Sequence, residues 1–310
     1  MCIMNKSLIC LFTVSVMLPG LAMAQTDMDA IMMNKKQFCQ GVMYEYSSWD
    51  HYWEGTFKRD NANLGTVSTQ MLMYMPNYGI TNNLNVMASV PYVKTKASEG
   101  TLHGMEGFQD MSVVVKWRPY VKKFGENKLS FFVLGGVSTP LSNYVIEFLP
   151  ISIGLGSTNV TARGMVDYQR GKFSITGSAA YIWRSNVELD KDSYYDTELH
   201  MTDEVQMPNA TQYQLRTGYR GKYLIAEALL TNFTTLGGYD ITKNNGQLYP
   251  NLKMNSTMVG ASAKYTLQSF THLQFTAGCN FTVAGRNVGQ ANAFSAGVYY
   301  VFYFGKRAKS

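Results

Sequence analysis

The carboxyl-terminal part of the chain alternates strictly between apolar residues and smaller or hydroxylated ones. Every second position from Phe294 to Phe304 is apolar, and the positions between them carry Ser, Gly, Tyr or Val. Because the side chains of a β-strand point alternately to its two faces, this segment has one face suited to hydrocarbon and one suited to water. The alternation therefore predicts a strand in the wall of a transmembrane β-barrel.

The same segment resembles the C-terminal signal of Gram-negative outer-membrane proteins, which ends in an aromatic residue. The resemblance implies a location in the cell outer membrane of a Gram-negative bacterium. It also implies insertion by the barrel-assembly machinery through the last strand. Unlike that signal, this chain continues past Phe304, and we expect residues 305–310 to form a periplasmic tail.

The first 24 residues have the three parts of an export signal. Lys6 supplies the charged start, an apolar stretch extends from Leu8 to Leu18, and the small-residue cleavage site ends at Ala24. A spanning helix needs about 18–20 apolar residues, and this stretch is shorter. We expect cleavage before Gln25. If the exported chain enters a membrane it must span with strands, since backbone groups in lipid have to be paired internally.

Twelve segments have a two-residue hydrophobic period and are bounded by turn residues. The connections alternate between short and mostly longer, which is typical of barrels with both termini in the periplasm. The composition agrees, with 21 Tyr and 16 Phe against 8 Pro. The predicted fold class is all-β, a transmembrane antiparallel up-and-down β-barrel of about 12 strands. The segments are 40–55, 63–78, 82–95, 107–119, 127–139, 157–169, 171–186, 209–220, 222–234, 253–267, 270–283 and 291–304. Segment 127–139 does not alternate cleanly, and the pattern does not assign its faces.

The sequence predicts four regions along the chain. Residues 1–24 form the signal peptide, 25–39 an N-terminal leader or plug segment, 40–304 the barrel and 305–310 the tail. The stretch from Thr26 to Gln40 could form a short helix or plug that enters the lumen from the periplasm. A disordered leader is the alternative.

Charged residues keep to one face of the predicted strands. An Arg or Lys on the lipid-facing side costs roughly 2–4 kcal/mol near the bilayer midplane, so we expect these residues to face the lumen. They could form a selectivity lining for solutes or a salt-bridge network that fills a narrow barrel. The lumen-lining candidates are Glu45, Asp110, Lys116, Arg118, Arg163, Asp167, Arg184, Arg216, Glu227 and Lys264.

One part of the sequence resembles a known family. Its motifs are Tyr78-Gly79-Ile80-Thr81-Asn82-Asn83-Leu84-Asn85-Val86, then Val90-Pro91-Tyr92-Val93, then Gly107-Phe108-Gln109-Asp110-Met111-Ser112-Val113 with Lys116-Trp117-Arg118. They resemble the signature of outer-membrane proteins of the phenol-degradation MetA-pathway transporter-like family. The resemblance implies a channel or transporter-like barrel for small hydrophobic or aromatic molecules. Gln109 stands where that family has glycine.

Other kinds of chemistry have weak signals in this sequence. The histidines are His51, His103, His200 and His272, and none lies in a nucleophile motif, so we assign no catalytic residues and no enzymatic activity. Only Cys39 and Cys279 follow the signal peptide, without metal-ligand spacing, and we expect no metal or other cofactor. The net charge of +6 is spread along the chain, which argues against nucleic acid as a partner. An acidic outer loop could bind Ca²⁺ or be simply solvated; its residues are Asp190, Asp192, Asp196, Asp203 and Glu204.

The function predicted from these patterns is an outer-membrane, porin-like channel or transporter-like barrel for small, hydrophobic or aromatic molecules. Its predicted partners are outer-membrane lipids, the barrel-assembly machinery and a small hydrophobic solute. The alternative is a non-transporting structural or surface-interaction barrel that acts through its outer loops. A hydrolase at the outer rim is a third and weaker option.

Overall fold

A computed structural model describes residues 25–242 and 248–304, and the predicted signal peptide and tail lie outside the described residues. The described chain forms a closed antiparallel β-barrel of 12 strands, which confirms the predicted fold class. Among the described residues there is no helix long and apolar enough to cross a membrane. The strands are β1 (Gln37–Trp49), β2 (Val67–Tyr74), β3 (Leu84–Ala97), β4 (Asp110–Phe124), β5 (Asn127–Pro140), β6 (Asn159–Arg170), β7 (Phe173–Arg184), β8 (Ala210–Arg220), β9 (Leu224–Thr235), β10 (Asn255–Thr266), β11 (Leu273–Arg286) and β12 (Asn292–Tyr303).

Neighbours in the sequence are neighbours in the barrel, and the last strand closes on the first. The β1–β12 ladder extends from Gln37 opposite Tyr303 to Ser48 opposite Asn292. A short strand, Asn77–Gly79, continues the line of β2 and pairs with β1 and β3. Every barrel strand is therefore paired on both sides, as hydrocarbon requires of backbone groups.

The strands present an apolar face to the outside. In β12, Phe294 and Val298 are exposed on the outer face, whereas Tyr299 and Val301 are only 3% and 0% exposed. This is the alternation predicted from the sequence, and most other strands repeat it. An outer face of this kind is suited to contact with lipid.

The faces of β5, which the sequence pattern did not assign, are clear in the structure. Phe131 and Val133 point outward and are exposed, whereas Phe132 and Leu134 are 2% and 3% exposed. Both faces of this strand are apolar because Phe132 and Leu134 pack inside the barrel against Ala30. The sequence of β5 does not alternate because an apolar patch of the barrel interior places apolar residues on its inner face as well.

The first predicted strand was wrong at its outer end. β1 stops at Trp49, and residues 51–60 form a separate hairpin of two strands, His51–Glu54 and Phe57–Asp60. The backbone N–H of Trp53 donates to the Val288 carbonyl, so the hairpin leans on the β11–β12 loop. The apolar alternation continues through this bend and therefore does not mark it.

The ladder between β3 and β4 is interrupted beside Pro91. Residues Leu84 to Ser89 of β3 pair with β4. Residues Tyr92 to Lys94 pair instead with the short strand Glu106–Phe108. Proline has no N–H to donate to a ladder, so a change of partner at this position leaves no donor unpaired.

Residues 141–158, 185–209, 236–242 and 248–254 of the outer loops share a small apolar core, which we call the outer cap. Short strand pairs within the second loop, Val187–Glu188 with Glu204–Val205 and Tyr194–Tyr195 with Leu199–His200, give it regular structure. The loops are therefore packed against one another at the outer end. The buried residues of the cap are Ile146, Val187, Leu189, Tyr194, Val205, Met207, Tyr239, Tyr249 and Leu252.

Candidate functional site

The N-terminal segment from Gln25 to Lys36 lies inside the barrel. It contains turns but no helix. The centre of its attachment is Asp29, whose carboxylate is fully buried between Lys116 and Lys264. The Nζ atoms of these lysines are 3.3 Å from Oδ1 and 2.5 Å from Oδ2, respectively. Because β4 and β10 stand on opposite sides of the ring, Asp29 connects opposite walls of the lumen.

Lys116 also holds the backbone of this segment. Its Nζ donates to the carbonyl oxygens of Thr26, Asp29 and Ile31 at 2.5, 2.8 and 3.3 Å. The Asp29 carboxylate in turn accepts hydrogen bonds from the backbone N–H groups of Thr26 and Ile31. A short acidic side chain that bonds to nearby backbone groups stabilises a turn, which explains why the segment folds back instead of forming a helix.

Apolar and amide contacts complete the attachment. Met33 is 1% exposed and packs with Cys39, Tyr299 and Val301 on the β1–β12 side of the lumen. On another wall, the side-chain amides of Gln25 and Asn85 are hydrogen-bonded at 2.9 Å. The segment is thus fixed by charge, by apolar packing and by hydrogen bonds.

A second charge network crosses the periplasmic half of the wall. The Arg220 guanidinium donates to Asp167 at 2.7 Å and to Glu227 at 2.8 Å. Glu227 also accepts from Arg216 at 2.9 Å, and Arg216 reaches the Met28 carbonyl at 3.4 Å. Arg220 was missed as a site candidate, although it follows Arg216 by four residues and therefore shares its face of the strand.

The candidates predicted from the sequence have the parity of the inner face, but the structure divides them into groups. Lys116 and Lys264 hold Asp29, whereas Asp167, Arg216 and Glu227 belong to the network of Arg220. The others make separate contacts. Asp110 accepts from the Tyr144 hydroxyl at 2.5 Å, Arg118 donates to Asn83 at 2.8 Å, Arg163 donates to Gln212 at 2.6 Å, the Arg184 guanidinium lies 5.4 Å from the Phe233 ring, and Glu45 borders a cavity.

The lumen contains cavities, and two of them are defined by the residues that border them. The first, which we call the segment-side cavity, has a volume of about 270 Å³ and lies between the N-terminal segment and the inner faces of β4 to β8. The second, the cap-side cavity, has a volume of about 370 Å³ and lies between β1 to β3 and residues 149–155. Both are bordered by apolar and polar side chains, a combination that binds small amphipathic molecules.

Part of the outer cap enters the lumen. Ile151 is fully buried, and its carbonyl accepts a hydrogen bond of 2.5 Å from the Thr95 hydroxyl on β3. Asp196 fixes another loop, because its carboxylate accepts from Asn251 and lies 3.0 Å from His200 Nε2. Burial raises the pKa of Asp196, but hydrogen bonds from Thr197, Asn251 and His200 outweigh burial and lower it to about 2.

The histidines are dispersed over the outer loops and one periplasmic turn. His51 lies between Asp50 and Asp60 on the outer hairpin, and the His200 ring stacks on Tyr194 at 4.4 Å. Within residues 25–242 and 248–304, no group of three His, Cys, Asp or Glu side chains could hold a metal ion.

The sequence matches a known protein family. The sequence model of a family described as putative MetA-pathway of phenol degradation matches residues 60–297. The match includes the motifs of residues 78–118 and most of the barrel. No curated protein matches the sequence at a significant level.

The fold is similar to that of an outer membrane channel from Pseudomonas putida F1, with a TM-score of 0.71 and 14% identity over 90% of this chain and 100% of that chain. At this identity the likeness concerns the fold alone. The NanC porin has a TM-score of 0.48 at 11% identity, over 84% of this chain and 98% of the porin. The CymD monoaromatic hydrocarbon channel has a TM-score of 0.38 at 10% identity, over 88% of this chain and 89% of that channel. Neither of these two overlaps well enough to carry an argument.

Proposed function

Because this chain belongs to the family described as putative MetA-pathway of phenol degradation, we propose that it is an outer-membrane channel for small, hydrophobic or aromatic molecules. The single observation that carries the proposal is the lumen itself. It holds two partly apolar cavities between the N-terminal segment and the outer cap. A solid barrel interior would offer a solute no place to bind.

The proposed mechanism has no covalent step. A solute enters past the outer cap, binds in the cavities and leaves toward the periplasm when the N-terminal segment moves aside. Movement follows the concentration gradient. The contacts of Asp29 with both walls support the role of this segment as a plug, because they lie across the route to the periplasm.

The remaining regions fit a path of export and insertion. We propose that residues 1–24 are removed after export and that β12 is the strand read by the barrel-assembly machinery. The aromatic outer face of β12 supports this assignment, since Phe294 and Tyr300 are exposed there. The outer faces of all strands then contact the lipids of the outer membrane.

A non-transporting barrel is a second candidate, favoured by the network of Arg220, Asp167 and Glu227. Buried charge pairs of this kind could seal the periplasmic half permanently. In that case the outer loops would carry the function, and the cavities would be filled by water.

Solute flux distinguishes the two candidates. Purified protein would be placed in liposomes with lipopolysaccharide in the outer leaflet, because pure phospholipid layers pass small aromatics unaided. We expect labelled phenol and toluene to enter faster than into protein-free liposomes. Heat-denatured protein in the same lipid is the control for leakage. Equal entry with and without folded protein, for solutes of several sizes, would contradict the channel and favour the structural barrel.

A further inference from the structure

Arg163 is a buried cation without a close counter-charge. Its side chain is 4% exposed, and its nearest carboxylate oxygen, Asp27 Oδ2, is 3.9 Å from Nη2. The guanidinium otherwise donates to neutral groups, Gln212 at 2.6 Å and Ser178 at 3.3 Å. A buried charge that is not paired closely is costly, so this position favours an additional anionic partner.

Four other cations of the inner wall differ from Arg163. Lys116, Lys264, Arg216 and Arg220 each have a carboxylate oxygen at 3.3 Å or less. Their charges are used to hold the plug or to join strands. Arg163 has no such tight pair within the described part of the chain. Arg184 also lacks one, but it lies beside the Phe233 ring and does not border the segment-side cavity.

The surroundings of Arg163 form one end of the segment-side cavity. The guanidinium, together with the hydroxyls of Ser138 and Thr161, gives the cavity a polar side. Val114, Leu134 and Ile182 give it an apolar side. A cavity of about 270 Å³ has room for a molecule with one ring, since pockets for drug-sized ligands start at about 300 Å³.

We propose that the segment-side cavity binds small molecules that combine an apolar or aromatic body with a carboxylate, and that Arg163 binds the carboxylate. This proposal names a class of solute for the proposed channel. The relevance of the site to transport therefore rests on the proposed function. The planar guanidinium suits a carboxylate because it can donate two parallel hydrogen bonds. The apolar body lies against Val114, Leu134 and Ile182.

The charge of the whole lumen supports an anionic solute. On the inner face of the barrel, cations outnumber carboxylates, and a cavity with low-dielectric walls concentrates that potential. Asp27 and Asp29 of the N-terminal segment offset part of this excess of positive charge. A solute carboxylate bound to Arg163 would balance the charge that Asp27 now balances from 3.9 Å. The inner-face cations are Lys116, Arg118, Lys128, Arg163, Arg184, Arg216, Arg220 and Lys264, and the inner-face carboxylates are Glu45, Asp110, Asp167 and Glu227.

Direct binding to the purified full-length protein in detergent tests the proposal. The probes are benzoate, benzyl alcohol and benzylamine, which share a ring and differ in charge, and titration calorimetry measures their affinities. We expect benzoate to bind tightest. Arg163→Gln should weaken benzoate about ten-fold or more, as loss of a charged hydrogen bond does, and leave benzyl alcohol within about two-fold.

Matched variants make the result specific. Arg170→Gln makes the same change at the exposed end of β6 and should bind benzoate like the wild type. Asp27→Asn removes the distant competitor of the solute and should tighten benzoate binding. If Arg163→Gln does not fold, Arg163→Lys and Asp27→Asn still test the site, because neither leaves the guanidinium position uncharged.

Two results would overturn the proposal: benzoate binding no tighter than benzyl alcohol in the wild type, or benzoate affinity unaffected by both Arg163→Gln and Asp27→Asn. These outcomes differ from a failure of the proposed function. A protein that binds benzoate through Arg163 but passes no solute into liposomes retains the site and loses the channel. A protein that passes phenol but binds benzoate no tighter than benzyl alcohol retains the channel and loses the site.

Discussion

At the scale of single residues, several buried carboxylates are held by donors from other elements of the fold. Asp29 is bound by lysines of β4 and β10, and Asp167 by Arg220 of β8 and Thr176 of β7. Asp196 accepts from Asn251, which belongs to another outer loop. A buried carboxylate requires such partners, so each of these side chains fixes the relative position of two elements.

The pKa of Asp196 predicts how the outer cap responds to acid. Its pKa is about 2 in the folded protein, against about 3.9 in an unfolded chain. A depressed pKa stabilises the cap above about pH 4, and this stabilisation is lost as the pH falls through about 2. We expect pepsin to cut the 185–209 loop increasingly fast as the pH is lowered over this interval.

Asp196→Asn is the control for that measurement. The amide does not titrate, so the variant should be cut faster than the wild type at pH 4 and should converge with it near pH 2. A wild type that is cut as fast as the variant at both pH values would contradict a role for Asp196 in holding the cap.

At the scale of the elements, the sequence contains most of the information on the barrel. The period of two and the alternation of loop lengths both follow from a wall with lipid on one side, and they were sufficient to predict 12 strands. The prediction of strand faces and strand ends was less accurate where the two faces of a segment do not differ in polarity or where the alternation continues beyond the wall. The faces of β5 could not be assigned because the N-terminal segment packs against the inner face and makes both environments of Phe132 apolar. The end of β1 was missed because the outer hairpin continues the alternation.

The seam between β1 and β12 depends on a glycine. A Cβ at Gly41 would lie 2.2 Å from the Tyr299 ring and 2.6 Å from the Val298 carbonyl oxygen. We expect Gly41→Ala to lower the free energy of unfolding by about 1–3 kcal/mol, the usual range for overpacking. Urea unfolding, followed by the mobility of the folded protein on unheated gels, measures this.

Gly135→Ala provides the matched comparison. This glycine lies on the outer face of β5, where no atom is within 4 Å of an added Cβ. It should therefore unfold at nearly the same urea concentration as the wild type. Equal stability of both variants would mean that Tyr299 moves aside freely and that the seam is looser than the structure indicates.

At the scale of the whole molecule, the contents of the lumen were predicted less well than its wall. The inward-facing positions of the ten candidates could be predicted because charged side chains are costly on the lipid-facing side of a strand. Their partners do not, because Asp29 is 87 residues from Lys116 and 235 residues from Lys264 in the sequence. No local pattern encodes a contact across a closed ring. The sequence left open whether residues 25–39 are a plug or a leader, and only the fold brings Asp29 to both lysines.

Removing the charge of Asp29 tests the plug. Loss of one member of a buried ion pair costs about 3–5 kcal/mol, so Asp29→Asn should weaken the attachment of the segment to both walls. We expect a larger and noisier single-channel current in planar bilayers than for the wild type.

Lys35→Gln is the control in the same segment, because its side chain is exposed and the change also alters one charge. It should conduct like the wild type. If Asp29→Asn carries the same current as the wild type and Lys35→Gln, the segment stays in place without its ion pairs, or the pathway does not pass it.

The link through Asp29 also has a mechanical consequence. A ring of hydrogen-bonded strands flattens easily into an ellipse, and a brace across its diameter resists that distortion. Lys116, Asp29 and Lys264 form such a brace, so the roundness of the cylinder and the position of the N-terminal segment have a common origin. Displacement of Asp29 from the two lysines would therefore make the cross-section of the barrel easier to deform.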